Sequence, residues 1–173
     1  MSRNDHVETP DHCRVFRDRL TEVGVDSTII QATAVAHELE QRLEYPAVGA
    51  PLRITDASLP AEIEDEPTLK DLKRAAAGAT SACLGVASQG SIVVTPNVQL
   101  DGPVSLYPPK HIAVLQVSDI VPDTASALEE LSSQFATGAN DAVFITGPSS
   151  TGDMGKSVVG VHGPAELEVL LVE

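Results

Sequence analysis

Apolar residues recur at three- and four-residue intervals along the first third of the chain and cluster in short unbroken runs along the second half. This change of period predicts helices first and buried strands later. Cys13, Phe16, Leu20 and Val23 share one face of a helix over residues 9–24, where Thr9 suits the cap, Pro10 the first turn and Gly24 the end. Val35, Leu39 and Leu43 repeat every four residues over 33–44, with Glu38 and Arg42 spaced for an i,i+4 ion pair. Residues 47–66 combine Pro51 and Pro60 with many acids and read as an exposed connection around a short strand candidate at 52–55. Pro67 then opens a third helix over 67–78, with Leu69, Leu72 and Ala76 inward and Gly78 at its end.

Beyond that point residues 82–87, 91–95, 112–117 and 142–146 form apolar, partly β-branched runs bounded by Gly, Pro or Asp. Continuous rather than alternating runs predict strands covered on both faces. Residues 122–135 lie between the last two and read as a helix with Ala125, Leu128, Leu131 and Phe135 inward, so strand, helix and strand imply a parallel crossover. The tail predicts strands at 157–161 and 166–172 joined by a tight His162-Gly163-Pro164-Ala165 turn. The sum is an α/β sandwich with a mostly parallel sheet, in one domain over 1–173 that is helix-rich to about 78 and strand-rich over 79–173.

Composition narrows the function. A chain of 173 residues with 42% hydrophobic and 21% charged residues is long enough for one packed core and too apolar for disorder. No run reaches the roughly 18 apolar residues of a membrane helix, and the first twelve residues lack the apolar stretch of an export signal, so a cytoplasmic location is expected. A net charge of −14 repels phosphate backbones and anionic lipid surfaces, which sets nucleic acid and membranes aside as partners. Lysine occurs only at Lys70, Lys73, Lys110 and Lys156 against 25 acids, a balance that fits either a salt-rich, halophilic cytosol or an ordinary acidic protein. Cys13 and Cys83 show no C-x-x-C clustering, so neither a zinc nor an iron–sulfur site is expected on this chain; they are either a disulfide or two buried thiols.

Gly152-Asp153-Met154-Gly155-Lys156-Ser157 imitates a phosphate-binding P-loop but fails on spacing, because Ser150 stands where the first glycine is required and a strand-like run follows. A better candidate is the exit of the 142–146 strand into Gly147-Pro148-Ser149-Ser150-Thr151. There glycine allows close backbone approach, and hydroxyls and amides can cradle a small carboxylate or phosphate, in the position beyond a strand's carboxyl end where α/β sheets hold ligands. The alternative is an ordinary Ser/Thr loop. His111, after Tyr107-Pro108-Pro109-Lys110, is either an acid–base group at a strand mouth or a polar residue at a strand start, and His162 has the same two readings.

Two linked segments carry a resemblance. Phe144-Ile145-Thr146-Gly147-Pro148-Ser149-Ser150-Thr151, followed by Gly160-Val161-His162-Gly163-Pro164-Ala165-Glu166-Leu167, resembles the closing signature of the LUD-domain, or lactate-utilisation, family in its C-type branch. Ser88-Gln89-Gly90-Ser91 is similar to the family's glycine hairpin, and Ser105 to Ile112 to its proline–histidine segment; the match runs from about 76 to 173. The resemblance implies a three-layer fold related to ribose-phosphate isomerase and CoA transferases. It also implies a non-redox part in oxidising L-lactate to pyruvate beside iron–sulfur partner subunits, with a homo-oligomer left open. Taken with the loop and strand-mouth readings, the candidate ligand-binding residues are Gly147, Ser149, Ser150, Thr151, His162, Gly163, Lys110, His111, Gly90 and Ser91.

The chain departs from the family pattern at Ser88, where an acid is usual, and at Ser150, where an arginine is usual. Without that arginine, Lys110, Lys156, Arg53 or another subunit has to supply the charge for a carboxylate. The competing readings are a protein that binds or transfers a sugar phosphate or acyl-CoA, and a regulatory binding module without catalysis.

Overall fold

The computed structural model of the chain describes residues 11–96, 100–136, 141–153, 156–160 and 162–173, and within 151–158 it describes the backbone alone. Thr9, Pro10, Val161 and the side chains of Thr151 and Lys156 therefore lie outside the described part. In chain order the elements are α1 (Asp11–Glu22), β1 (Asp26–Ile30), α2 (Val35–Arg42), β2 (Ala47–Gly49), α3 (Leu69–Arg74), β3 (Ala77–Ser81), β4 (Leu84–Val86), β5 (Ser91–Val94) and α4 (Asp101–Leu106). They continue with β6 (Lys110–Gln116), β7 (Ile120–Val121), α5 (Thr124–Ala136), β8 (Val143–Ile145), β9 (Ser150–Asp153), β10 (Lys156–Val159) and β11 (Glu166–Val172).

Five strands form an all-parallel sheet in the order β1-β11-β6-β3-β2. Its central strands are largely apolar because both faces are covered, with His111 and Thr80 as buried polar exceptions. Ala113, Leu115, Leu167, Val169 and Leu171 point toward α1, where they meet Cys13, Phe16 and Leu20. Ile112, Val114, Leu170 and Val172 point the other way, onto Val35 and Leu39 of α2, onto Leu43 just after it and onto Ile54 and Ile63 of the loop after β2. A second sheet, β7-β4-β5-β8, packs Ile92 and Val94 into the α1-side core and turns Leu84, Val86 and Val93 outward onto Ala127 and Leu131 of α5. The fold is thus α/β with a mainly parallel principal sheet, as the sequence predicts.

Several local expectations are corrected. The third helix stops at Arg74 instead of running to 78, and the alanine-rich segment after it is β3. Helix propensity loses there because Ala77 and Ala79 fill the α2-side core, while Gly78 lies so close under α4 that a Cβ would sit 2.6 Å from the Val104 carbonyl oxygen. Leu69 is exposed, and of the predicted inward set only Leu72 is buried. The strand expected at 52–55 is absent and Ala47–Gly49 pairs with β3 instead; β1 also has no counterpart in the sequence reading.

The 142–146 strand does not join a parallel crossover, since β8 pairs antiparallel to β5 in the second sheet. The tail is not a hairpin either: β10 pairs with β9, and β11 is inserted between β1 and β6. On α5 the buried face carries Ala127 and Leu131, whereas Ala125, Leu128 and Phe135 are exposed. Small Ala127 lets the helix axis approach the sheet, and apolar residues on both sides of the helix leave its pattern without a unique inner face. Cys13 and Cys83 are free thiols; Cys13 is buried as the second alternative has it, whereas Cys83 is only partly buried.

Candidate functional site

The Thr146 to Ser150 loop and the turn ending at Pro164 are stitched together. The Ser149 amide donates to the Pro164 carbonyl (2.8 Å), the Gly160 amide to the Ser149 carbonyl (2.9 Å), and the His162 amide to Ser149 Oγ (3.3 Å). The Pro109 carbonyl accepts from the amides of both Ala165 (2.7 Å) and Glu166 (3.1 Å), which anchors the turn between the start of β6 and the start of β11. Between loop and turn lies an open depression of about 350 Å3, lined by Thr146, Gly147, Ser149, Ser150, His162 and Gly163, with Leu106 and Phe144 at its apolar side. Gly147 is required here, because its φ is +74° and a Cβ would stand 2.9 Å from the Val23 carbonyl oxygen at the end of α1. Five of the ten expected ligand residues, Gly147, Ser149, Ser150, His162 and Gly163, thus line one hollow. It lies beside the amino ends of β6 and β11, not beyond the carboxyl ends of the parallel strands.

Lys110, His111, Gly90 and Ser91 are placed elsewhere, and the side chain of Thr151 lies outside the described residues. Strand alternation turns Lys110 and His111 to opposite faces of β6. Lys110 Nζ lies 2.7 Å from Glu168, which also meets Arg42 at 3.5 Å, and Arg42 in turn holds Glu38 at 2.8 Å, so the lysine charge is committed on the α2 side. His111 is fully buried. Its Nε2 is 2.9 Å from Thr80 Oγ1, its Nδ1 has no partner among the described residues, and burial pushes its pKa down to about 4, so the ring is neutral at pH 7. Gly90 lets the β4–β5 turn pack on α1, where a Cβ would lie 2.7 Å from the Arg19 carbonyl carbon. Ser91 Oγ bonds Thr146 Oγ1 at 2.6 Å and braces the loop from behind.

None of the described side chains lining the depression belongs to Lys or Arg, so hydroxyls, amides and His162 define its chemistry. A cation stands instead at the far end of the sheet. There the Arg53 amide donates to Ser81 Oγ (2.9 Å) and its guanidinium to Asp101 (2.9 Å). Ser81 and Asp101 were not legible as partners of Arg53, because the residues between β2 and α3 read as a strand in a connection, and nothing in their spacing shows that they fold across the end of β3. Among the described residues no group of three His, Cys, Asp or Glu side chains is arranged to hold a metal ion, and no helix is long and apolar enough to cross a membrane.

The comparisons with known proteins agree with one another. Lactate utilization protein C of Bacillus subtilis is 31% identical over 133 residues, which is 75% of this chain and 53% of that protein. Its counterpart in Macrococcus caseolyticus is 31% identical over 72% of this chain and 56% of its own length, and that of Deinococcus radiodurans 28% identical over 91% and 77%. The chain spans about half the length of the Bacillus and Macrococcus proteins. The crystal structure of a DUF162-family protein from Deinococcus radiodurans superposes with a TM-score of 0.74 at 24% identity, covering 94% of this chain and 96% of that one, a likeness of fold. A family model described as the LUD domain matches residues 13–172, and the chain belongs to the LUD-domain family, in its lactate utilisation protein C-like branch.

Proposed function

We propose that the chain is a non-redox subunit of an assembly that oxidises L-lactate to pyruvate, working in the cytoplasm beside partner subunits that carry iron–sulfur clusters. The observation that carries this reading is the similarity to proteins named lactate utilization protein C over three quarters of the chain. Converting the hydroxyl-bearing carbon of lactate to a ketone releases two electrons and two protons. Two cysteines fall short of the roughly four ligands of an iron–sulfur cluster, so the electrons pass to clusters on other chains.

In this reading the fold is kin to that of ribose-phosphate isomerase and CoA transferases. The ligand-facing surface is the depression, with Ser149, Ser150 and His162 as polar groups and Gly147 and Gly163 allowing close approach. Ser91 braces the loop from behind and Gly90 seats the β4–β5 turn on α1, while Lys110 and His111 fix the start of β6.

Disrupting the gene in its own organism tests the proposal. Growth on L-lactate as carbon source is lost, growth on a sugar is kept, and the wild-type gene restores the first. Unchanged growth on lactate contradicts the proposal.

A further inference from the structure

The parallel strands run from the depression at their amino ends to an opposite rim where β2 and β3 finish, and the carboxyl rim of such sheets is where α/β proteins hold ligands. At this rim the chain leaving β2 folds across the end of β3 and is fixed twice, by the Arg53 amide on Ser81 Oγ and by the Arg53 guanidinium on Asp101, both at 2.9 Å. Asp101 is completely buried, whereas the Arg53 side chain is 32% exposed. A buried carboxylate is costly to desolvate and needs its partner held closely, so the pair fixes the guanidinium from the inside. The contact uses one terminal nitrogen, NH1; among the described residues the side edge, Nε–H with the other terminal nitrogen, has no partner. Two parallel N–H bonds on a preoriented plane match the two oxygens of a carboxylate.

We infer that the carboxyl rim of β2 and β3 is a binding site for a small monocarboxylate, with Arg53 gripping the carboxylate and Asp101 as its positioning residue. Charge arithmetic favours a monoanion: with Asp101 cancelling the arginine charge no anion meets a net positive charge, and the −14 background repels a dianion such as phosphate more strongly than a monoanion. The Cys83 thiol adds a neutral neighbour, since burial raises its pKa and Sγ donates to the Val93 carbonyl at 3.3 Å. The site is separate from the depression. It rests on the proposed function only for the choice of lactate and pyruvate as the acids tried.

The test is an NMR titration of the full isotope-labelled chain with pyruvate, L-lactate and inorganic phosphate, following the Arg53 Nε–H resonance and the His162 ring. The expected result is a saturable shift at Arg53 with either organic acid, a weaker response to phosphate, and affinity reduced by about tenfold or more in Arg53→Lys, which keeps the charge without the fork. Because Arg53→Gln alone strands a buried carboxylate, the paired variant Arg53→Gln/Asp101→Asn is measured as well, with its amide spectrum reporting the fold; it loses binding while remaining folded. No shift at Arg53, a shift at His162 alone, an equal response to phosphate, or unimpaired binding in the paired variant overturns the inference. Growth on lactate tests the proposed function separately, so either statement can fail without the other.

Discussion

His111 occupies a place that water does not reach, and this makes pH a probe of one side chain. Its pKa is about 4 in the folded protein against 6.5 in an unfolded chain, because burial disfavours the imidazolium. Between those values the unfolded chain holds the proton and the folded chain does not. Its contribution is therefore intact above pH 6.5 and is lost as pH falls toward 4, by at most about 1.4 kcal/mol per pH unit. Urea unfolding of the wild type and His111→Leu across that range gives the steeper loss in the wild type; parallel curves contradict it. The sequence showed this histidine at a strand start and left its role open. What it does not show is that β3 and β11 flank the strand on both sides and that Thr80 of β3 stands beside the buried ring. Lys110, next to it, reads as an available cation until Glu168 is seen beside it on the neighbouring strand.

At the scale of elements, α4 crossing over β3 is the contact most sensitive to volume. It joins the two ends of the sheet, running from Asp101 at the carboxyl rim to Leu106 at the depression. Gly78→Ala would place a methyl 2.6 Å from the Val104 carbonyl oxygen, and a backbone atom held in a packed helix cannot swing aside. The expected loss is about 1–3 kcal/mol of stability, read as a lower urea midpoint, and an unchanged midpoint contradicts the tight crossing.

The same crossing explains what the sequence left unread. Periodicity placed α1 and α2 well, since a 3.6-residue repeat of large apolar side chains is a local signal. β3 is small-residue sequence that becomes a strand only because α4 and the α2-side core need thin backbone there. β11, a seven-residue apolar run, was recognisable as a strand, yet its insertion between β1 and β6 depends on long-range pairing that no local pattern encodes. Likewise, the two segments of the depression were legible as linked motifs, while the Arg53 rim depends on a loop folding over a strand end.

For the molecule as a whole, the acidic balance has a measurable consequence. A net charge of −14 repels itself in dilute buffer, and salt shortens the reach of that repulsion from about 10 Å at 0.1 M to about 3 Å at 1 M. We propose that the protein is adapted to a salt-rich cytosol. Its Tm then rises by several degrees between these concentrations of KCl and rises similarly in NaCl, whereas a flat or falling Tm contradicts the adaptation. A LUD domain matches residues 13–172, nearly the whole chain, and the proposed role asks for companions that take up the electrons of lactate.

The most direct measurement is therefore purification of the tagged, full-length protein from its own cells grown on L-lactate. The account predicts that proteins bearing iron–sulfur clusters accompany it and that the purified assembly reduces an artificial electron acceptor only when lactate is added. A chain that emerges without a cluster-bearing companion, or an assembly indifferent to lactate, contradicts it.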